Sequence, residues 1–312
     1  MARIASTVLV VALLAATAAA FALTQGLKNQ PVGIFGTKVP RTVFSPVCAC
    51  TTDKATVTFK LREADRLDVA FVDGSDRVVR TIERDRRYAK GPVEIEWDGR
   101  DDDGLLLPEG EYKPRIHLRG DRTTYTLPNP IRIDVTPPRL ESFALRPKLL
   151  SPDGDGRGDR VTFRYRLSEP GRGLLFVDGK RRVRKLFARP EDSIVWNGKV
   201  GGRALPPGIH DARLAAVDPA GNVSLRTRPI PVVIRYVALG RKRITVTVGA
   251  RFALRVSSDA RRVTWSLGGR SGLARPGTLR LRAPLQKGRF TLTVSANGHS
   301  ARAAVFVLEP SR

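Results

Sequence analysis

Asp153, Asp155 and Asp159 stand close together in a glycine-rich segment, Ser151-Pro152-Asp153-Gly154-Asp155-Gly156-Arg157-Gly158-Asp159. Closely spaced hard carboxylate oxygens suit calcium. A calcium loop of the Asp-x-Asp-x-Asp-Gly kind needs an oxygen donor where this chain has Arg157, and a guanidinium there repels the ion. The expectation is a Gly-rich turn with solvated carboxylates, with calcium on Asp153, Asp155 and Asp159 as the alternative. A second acidic run, Asp98, Asp101, Asp102 and Asp103, is explained by turn residues capping local backbone donors, without an ion.

Cys48 and Cys50 are the two cysteines of the chain. In an oxidising compartment they predict a local disulfide that stiffens its loop, provided the backbone bends to bring the Cα atoms within about 7 Å. No Cys-x-x-Cys spacing supports a redox role, and two thiolates without a nearby histidine leave a zinc site incomplete. His117, His210 and His299 fall in separate segments and read as surface or half-buried side chains. There is no Gly-x-Ser-x-Gly elbow, phosphate-binding glycine loop or His-Glu-x-x-His pattern. The chain is therefore expected to be non-enzymatic and to need no cofactor.

These residues sit within a duplicated pattern. Phe44-Ser45-Pro46 through Asp53 aligns without a gap against Leu150-Ser151-Pro152 through Asp159, about 106 residues later. Each copy continues through Phe-Val-Asp-Gly (Phe71 to Gly74, Phe176 to Gly179) and Trp-Asp/Asn-Gly (Trp97 to Gly99, Trp196 to Gly198). Each then reaches Leu-Pro-x-Gly, at Leu107 to Gly110 and Leu205 to Gly208. Alternating runs such as Thr56–Leu61, Leu67–Phe71, Val93–Trp97 and Val161–Tyr165 predict strands with one buried and one wet face. Asp-Gly and Pro-x-Gly breaks join such strands antiparallel. A third unit, from Val237 on, shows alternation at Ile244–Val248, Val263–Leu267 and Phe290–Val294 but lacks the paired motifs.

Met1-Ala2-Arg3 precedes an uncharged, largely apolar stretch from Ile4 to Leu23, roughly the length of a bilayer span. Its Ala-rich end also suits signal peptidase, so both a retained anchor in the cytoplasmic membrane through residues 4–23 and a cleaved signal stay open. The expected organisation is an anchor or signal over 1–24 and a tether over 25–43. Sandwiches are expected over 44–136, 139–236 and 237–309, with Pro137-Pro138 stiffening the first junction.

The formal charge of +25 is spread along the chain, Arg-rich and without a compact basic arm, which argues against specific nucleic-acid binding. After Leu239 the acidic side chains are Asp259 and Glu309 alone, so the last unit concentrates the positive field. Arg261, Arg262, Arg280 and Arg282 are its candidate polyanion-binding residues.

The Trp97–Gly104 segment followed by Leu107–Tyr112, and its second copy Trp196–Lys199 with Leu205–Ile209, resemble the immunoglobulin-like domain of flagellar hook-capping proteins and many secreted bacterial proteins. The resemblance spans residues 44–236 and implies immunoglobulin-like sandwiches; together with the apolar Ile4 to Leu23 stretch, the expected fold is all-β, tandem immunoglobulin-like sandwiches after an amino-terminal transmembrane or signal helix. Copy two departs from it by placing Ile209-His210 where copy one has Glu111-Tyr112. The function expected is an extracytoplasmic envelope or cell-surface protein that displays Ig-like modules for spacing or binding. It would be membrane-anchored or secreted, with an anionic wall polymer or another envelope protein as partner. A flagellar hook-assembly scaffold and an accessory spacer of a cell-wall enzyme are the alternatives.

Overall fold

The structure, a computed structural model, describes residues 11–21 and 33–309. Residues 11–21 form a helix, and everything described after it is strand, turn or loop. Among the described residues no helix is long and apolar enough to cross a membrane. The ends of the predicted span from Ile4 to Leu23 lie outside the described residues.

The rest builds three hydrophobic cores in series. The chain divides into two compact units at residues 135 and 136, the second holding two of those cores. In the first sandwich a three-stranded sheet (Ile34–Lys38, Ala55–Leu61, Gly91–Trp97) faces a larger one built on Asp65–Val72 and Gly110–Leu118. Alternation decides the facing: along Ala55–Leu61, Ala55, Val57, Phe59 and Leu61 are buried while the intervening side chains are not. Burying a Phe or Leu of this kind contributes about 1.5–3 kcal/mol each. Ile34–Lys38 falls inside the predicted tether. It pairs with Ala55–Leu61 and inserts Ile34 into the core, but its other four residues are exposed, so it shows no alternation to read.

The second sandwich repeats this plan with two of its strands fused into one. Val161–Val177 runs as a single strand of 17 residues: its first half pairs with Leu140–Arg146 and Arg189–Trp196, its second with Lys180–Arg184 and Gly208–Val217. It does the work of two separate strands of the first sandwich, Ala55–Leu61 and Asp65–Val72.

The third sandwich follows the same order. Val237–Leu239, Arg251–Ser258 and Gly277–Arg282 form its small sheet. The large sheet runs Arg243–Thr247, His299–Leu308, Gly288–Ala296, Val263–Leu267, Arg270–Ala274. In each sandwich an early strand lies parallel to the last one: Val43–Phe44 on Ile131–Ile133, Leu149–Leu150 on Ile230–Ile234, and Arg243–Thr247 on His299–Leu308.

The duplicated motifs meet in space. Trp97 and Trp196 are buried at strand ends, and each donates its indole N–H to a carbonyl three residues on, Arg100 at 3.0 Å and Lys199 at 3.3 Å. Gly99 and Gly198 turn the chain at φ of 73° and 70°. Each accepts from the Leu of Leu-Pro-x-Gly, Leu107 at 3.0 Å and Leu205 at 2.9 Å. The Phe/Leu-Ser-Pro entry presses against the same glycine. A methyl group on Gly99 would lie 2.5 Å from Pro46 Cγ, and one on Gly198 would lie 2.7 Å from Leu150 Cδ2.

Gly198→Ala therefore combines a left-handed backbone with a clash and should destabilise the second sandwich by about 2–4 kcal/mol. Gly201→Ala, at φ of 56° with open space around it, should cost only about 1 kcal/mol. Urea unfolding of the two variants tests this, and equal losses would show that the entry segment exerts no steric constraint.

Candidate functional sites: an acidic junction loop and an arginine face

The loop from Ser151 to Asp159 begins buried and closes on itself through the Ser151 N–H, which donates to the Gly158 carbonyl at 2.8 Å. In the first sandwich Ser45 donates in the same way to Thr52 at 3.2 Å. The two loops are pinned differently. Cys48 and Cys50 form a disulfide with Cα atoms 5.2 Å apart, across Ala49 in the left-handed region. At the matching positions of the second loop, the Gly154 and Gly156 N–H groups both donate to the Asp159 carboxylate, each at 2.7 Å. A carboxylate thus performs in one copy the cross-linking that a covalent bond performs in the other.

The structure brings together a carboxylate set other than the one expected from spacing, Asp153, Asp155 and Asp159. Asp159 faces its own loop, and the carboxylates that converge are Asp153, Asp155 and Asp259, with one oxygen of each lying within 4.8 Å of the others. Asp259 comes from the turn after Arg251–Ser258 in the third sandwich, and a separation of more than a hundred residues hid it from any local pattern. Asn297, in the turn before His299–Leu308, donates its amide to Asp153 at 3.1 Å and Asp155 at 3.0 Å. Burial pushes the Asp259 carboxyl above the usual carboxylate range, Asp153 and Asp155 push it the same way, and the Ser151 hydroxyl opposes them.

The four predicted polyanion residues do not share a patch. Arg280 and Arg282 lie exposed on Gly277–Arg282, whereas Arg261 and Arg262 lie beyond the far end of the neighbouring strand. The structure adds Arg251, directly opposite Arg282, and Arg255, opposite Thr278, on the same outer face. Like charges directly opposite on paired strands are unfavourable. Among the described residues none of the four arginines is in an ion pair. Of the two acids in this sandwich, Glu309 pairs with Lys287 at 2.9 Å and Asp259 belongs to the junction. Strand register joins these arginines, and sequence spacing alone has no access to it.

The three histidines occupy unrelated places. His117 bonds Thr124 at 2.9 Å, and His299 stacks on Tyr236 with ring centroids 3.5 Å apart. His210 bridges Asp178, at 2.7 Å from Nδ1, and the Pro206 carbonyl, at 2.9 Å from Nε2. Its counterpart Tyr112 makes the matching bond to the Pro108 carbonyl at 2.9 Å. The apparent departure between the copies keeps one function, a ring tip that fastens the Leu-Pro-x-Gly turn.

Residues 46–120 match the FlgD Ig-like domain family, so the chain carries an Ig-like domain resembling that of the flagellar hook-capping protein. No curated protein matches the chain. Among solved structures it is similar to the fibronectin(III)-like modules of Clostridium thermocellum CbhA at 13% identity and a TM-score of 0.34, covering 64% of this chain and 94% of that one. It is similar to the titin I-band fragment I67-I69 at 10% identity and a TM-score of 0.32, covering 90% and 100%. FlgD from P. aeruginosa is similar at 21% identity and a TM-score of 0.24, covering 44% of this chain and 90% of that one. The chain is a tandem array of immunoglobulin-like β-sandwiches, with the order of strands given above.

Both partners of His210 are acceptors, so the ring must carry two N–H groups to satisfy them. Burial pulls the His210 pKa down, but the Asp178 carboxylate and the Pro206 carbonyl outweigh it and hold the net value above the usual one. A histidine pKa raised by folding adds stability in full below its unfolded value of about 6.5, and that stability disappears as pH rises through the folded value. The thermal stability of the second sandwich should accordingly fall as pH rises across that window. His210→Tyr, which keeps the bond to Pro206, should flatten the dependence; a profile unchanged by the substitution would refute the assignment.

Proposed function

We propose that this chain is a non-enzymatic envelope or cell-surface protein whose Ig-like modules act as spacers, with the basic third sandwich engaging an anionic wall polymer. The observation that carries the reading is the arginine face of Arg251, Arg255, Arg280 and Arg282. It lies on the sandwich poorest in acidic residues, in a register that sets Arg251 directly opposite Arg282, where the two like charges repel. A polymer of closely spaced phosphates relieves that repulsion and presents the oxygen pairs that guanidinium groups bind in a fork. Attachment to or export across the cytoplasmic membrane is supported by the uncharged run from Ile4 to Leu23, of which residues 11–21 are helical. A second reading, a flagellar hook-assembly scaffold, is favoured by the match over residues 46–120. Loss of hooks from cells lacking the protein would select it.

Changing Arg251, Arg255, Arg280 and Arg282 together to Gln should reduce binding to teichoic-acid-bearing walls about tenfold or more at near-physiological salt. Changing the exposed Arg181, Arg184, Arg189 and Arg203 of the second sandwich should have a much smaller effect. Equal losses in a cosedimentation assay would mean that charge acts diffusely and that the face is not a site.

A further inference from the structure

The acidic junction holds more negative charge than its own neighbours neutralise. Asp153 and Asp155 reach it from the second sandwich and Asp259 from the third, within one compact unit. Both Asp259 oxygens are shielded from solvent and accept no hydrogen bond of normal geometry. The Ser151 hydroxyl beside them directs its own bond to Asp153, at 3.5 Å. The Arg157 guanidinium reaches the Asp259 backbone carbonyl at 3.5 Å rather than the carboxylate. Gly158 packs so closely that a methyl group there would lie 2.5 Å from Asp259 Oδ2, which holds the carboxylate against the loop. A buried charge with no partner is costly enough that such groups normally pair, bind a metal or become neutral.

We propose that Asp153, Asp155 and Asp259 bind one calcium ion, with the Asn297 amide turned to present its oxygen, and that the ion fastens the second sandwich to the third. The ligand atoms are all hard oxygens, as calcium requires. One oxygen of each carboxylate lies within 4.8 Å of the others, close enough for a single ion bound at about 2.4 Å to reach all three. Magnesium requires near-ideal octahedral geometry and usually keeps several waters, whereas calcium accepts an irregular set of protein oxygens such as this one. The Asn297 amide now directs its NH₂ at Asp153 and Asp155, and rotating it by half a turn exchanges donor for acceptor at the same place. The three carboxylates bring together the negative charge that attracts a divalent cation.

The test is calorimetric titration of the chelator-stripped full chain with calcium chloride, together with thermal unfolding in its presence. One ion per chain is expected, with a Kd of about 10⁻⁴–10⁻³ M, as in extracellular modules, and a raised unfolding temperature. Asp155→Asn, at an exposed position that leaves the cores untouched, and Asp259→Asn should each weaken binding about tenfold or more. Circular dichroism establishes that both variants keep their strand content, and Asp155→Asn decides the matter if Asp259→Asn does not fold. Absence of binding up to roughly 10 mM calcium would overturn the proposal, as would binding unchanged by Asp155→Asn. Magnesium binding as tight as calcium would overturn the choice of ion. If Asp259→Asn raised the unfolding temperature while calcium had no effect, Asp259 would be a neutral acid and the site would be withdrawn.

Discussion

Everything in the first two sandwiches depends on the contact between a glycine without a side chain and a chain entry that fills the space. Gly99 and Gly198 bring the end of a core strand, the indole-capped turn and the Leu-Pro-x-Gly launch of the next strand to one point. Phe44-Ser45-Pro46 and Leu150-Ser151-Pro152 close over that point and bury Phe44 and Leu150 completely. The contact links segments some fifty residues apart, so it fixes how the two sheets face each other before any surface residue matters. It also explains why four short motifs recur together: each is one side of the same packing.

The third sandwich reaches the same strand order without that contact. Its core is lined by Val, Leu and Ala, with Trp265 only partly buried, and its entry strand Arg243–Thr247 runs beside His299–Leu308 for five residue pairs instead of two. Hydrogen bonding along a longer parallel pair replaces the aromatic and glycine packing used by the others. One topology is thus held by two different sets of contacts, and motif comparison registers only the first.

Strand content was legible wherever one face is buried. Val57, Phe59 and Leu61, or Val93, Ile95 and Trp97, announce themselves because water lies on one side and a core on the other. Val78–Tyr88 was not legible, because this edge strand carries Arg80, Glu83, Arg84, Arg86 and Arg87 and is half exposed on both faces. Glu169-Pro170-Gly171 reads as a break, yet Val161–Val177 passes through it from one sheet to the other. The candidate sites follow the same rule. Asp153 and Asp155 are neighbours in sequence and were found. Asp259, Arg251 and Arg255 enter through strand register and the meeting of two sandwiches, and these have no local signature.

The parallel pairing of an early strand with the last one has a mechanical meaning. Because the two strands point the same way, the chain enters the pair at one end and leaves at the other. Tension applied through the ends of a sandwich therefore runs along the strands and loads their cross-links simultaneously in shear, instead of opening them one after another like a zipper. Two residue pairs carry that load in the first sandwich and two in the second, whereas five carry it in the third. Under a steady pull the array would thus yield first in its two motif-bearing members, leaving the arginine-faced sandwich, at the opposite end of the chain from the amino-terminal helix, as the last to lose its shape.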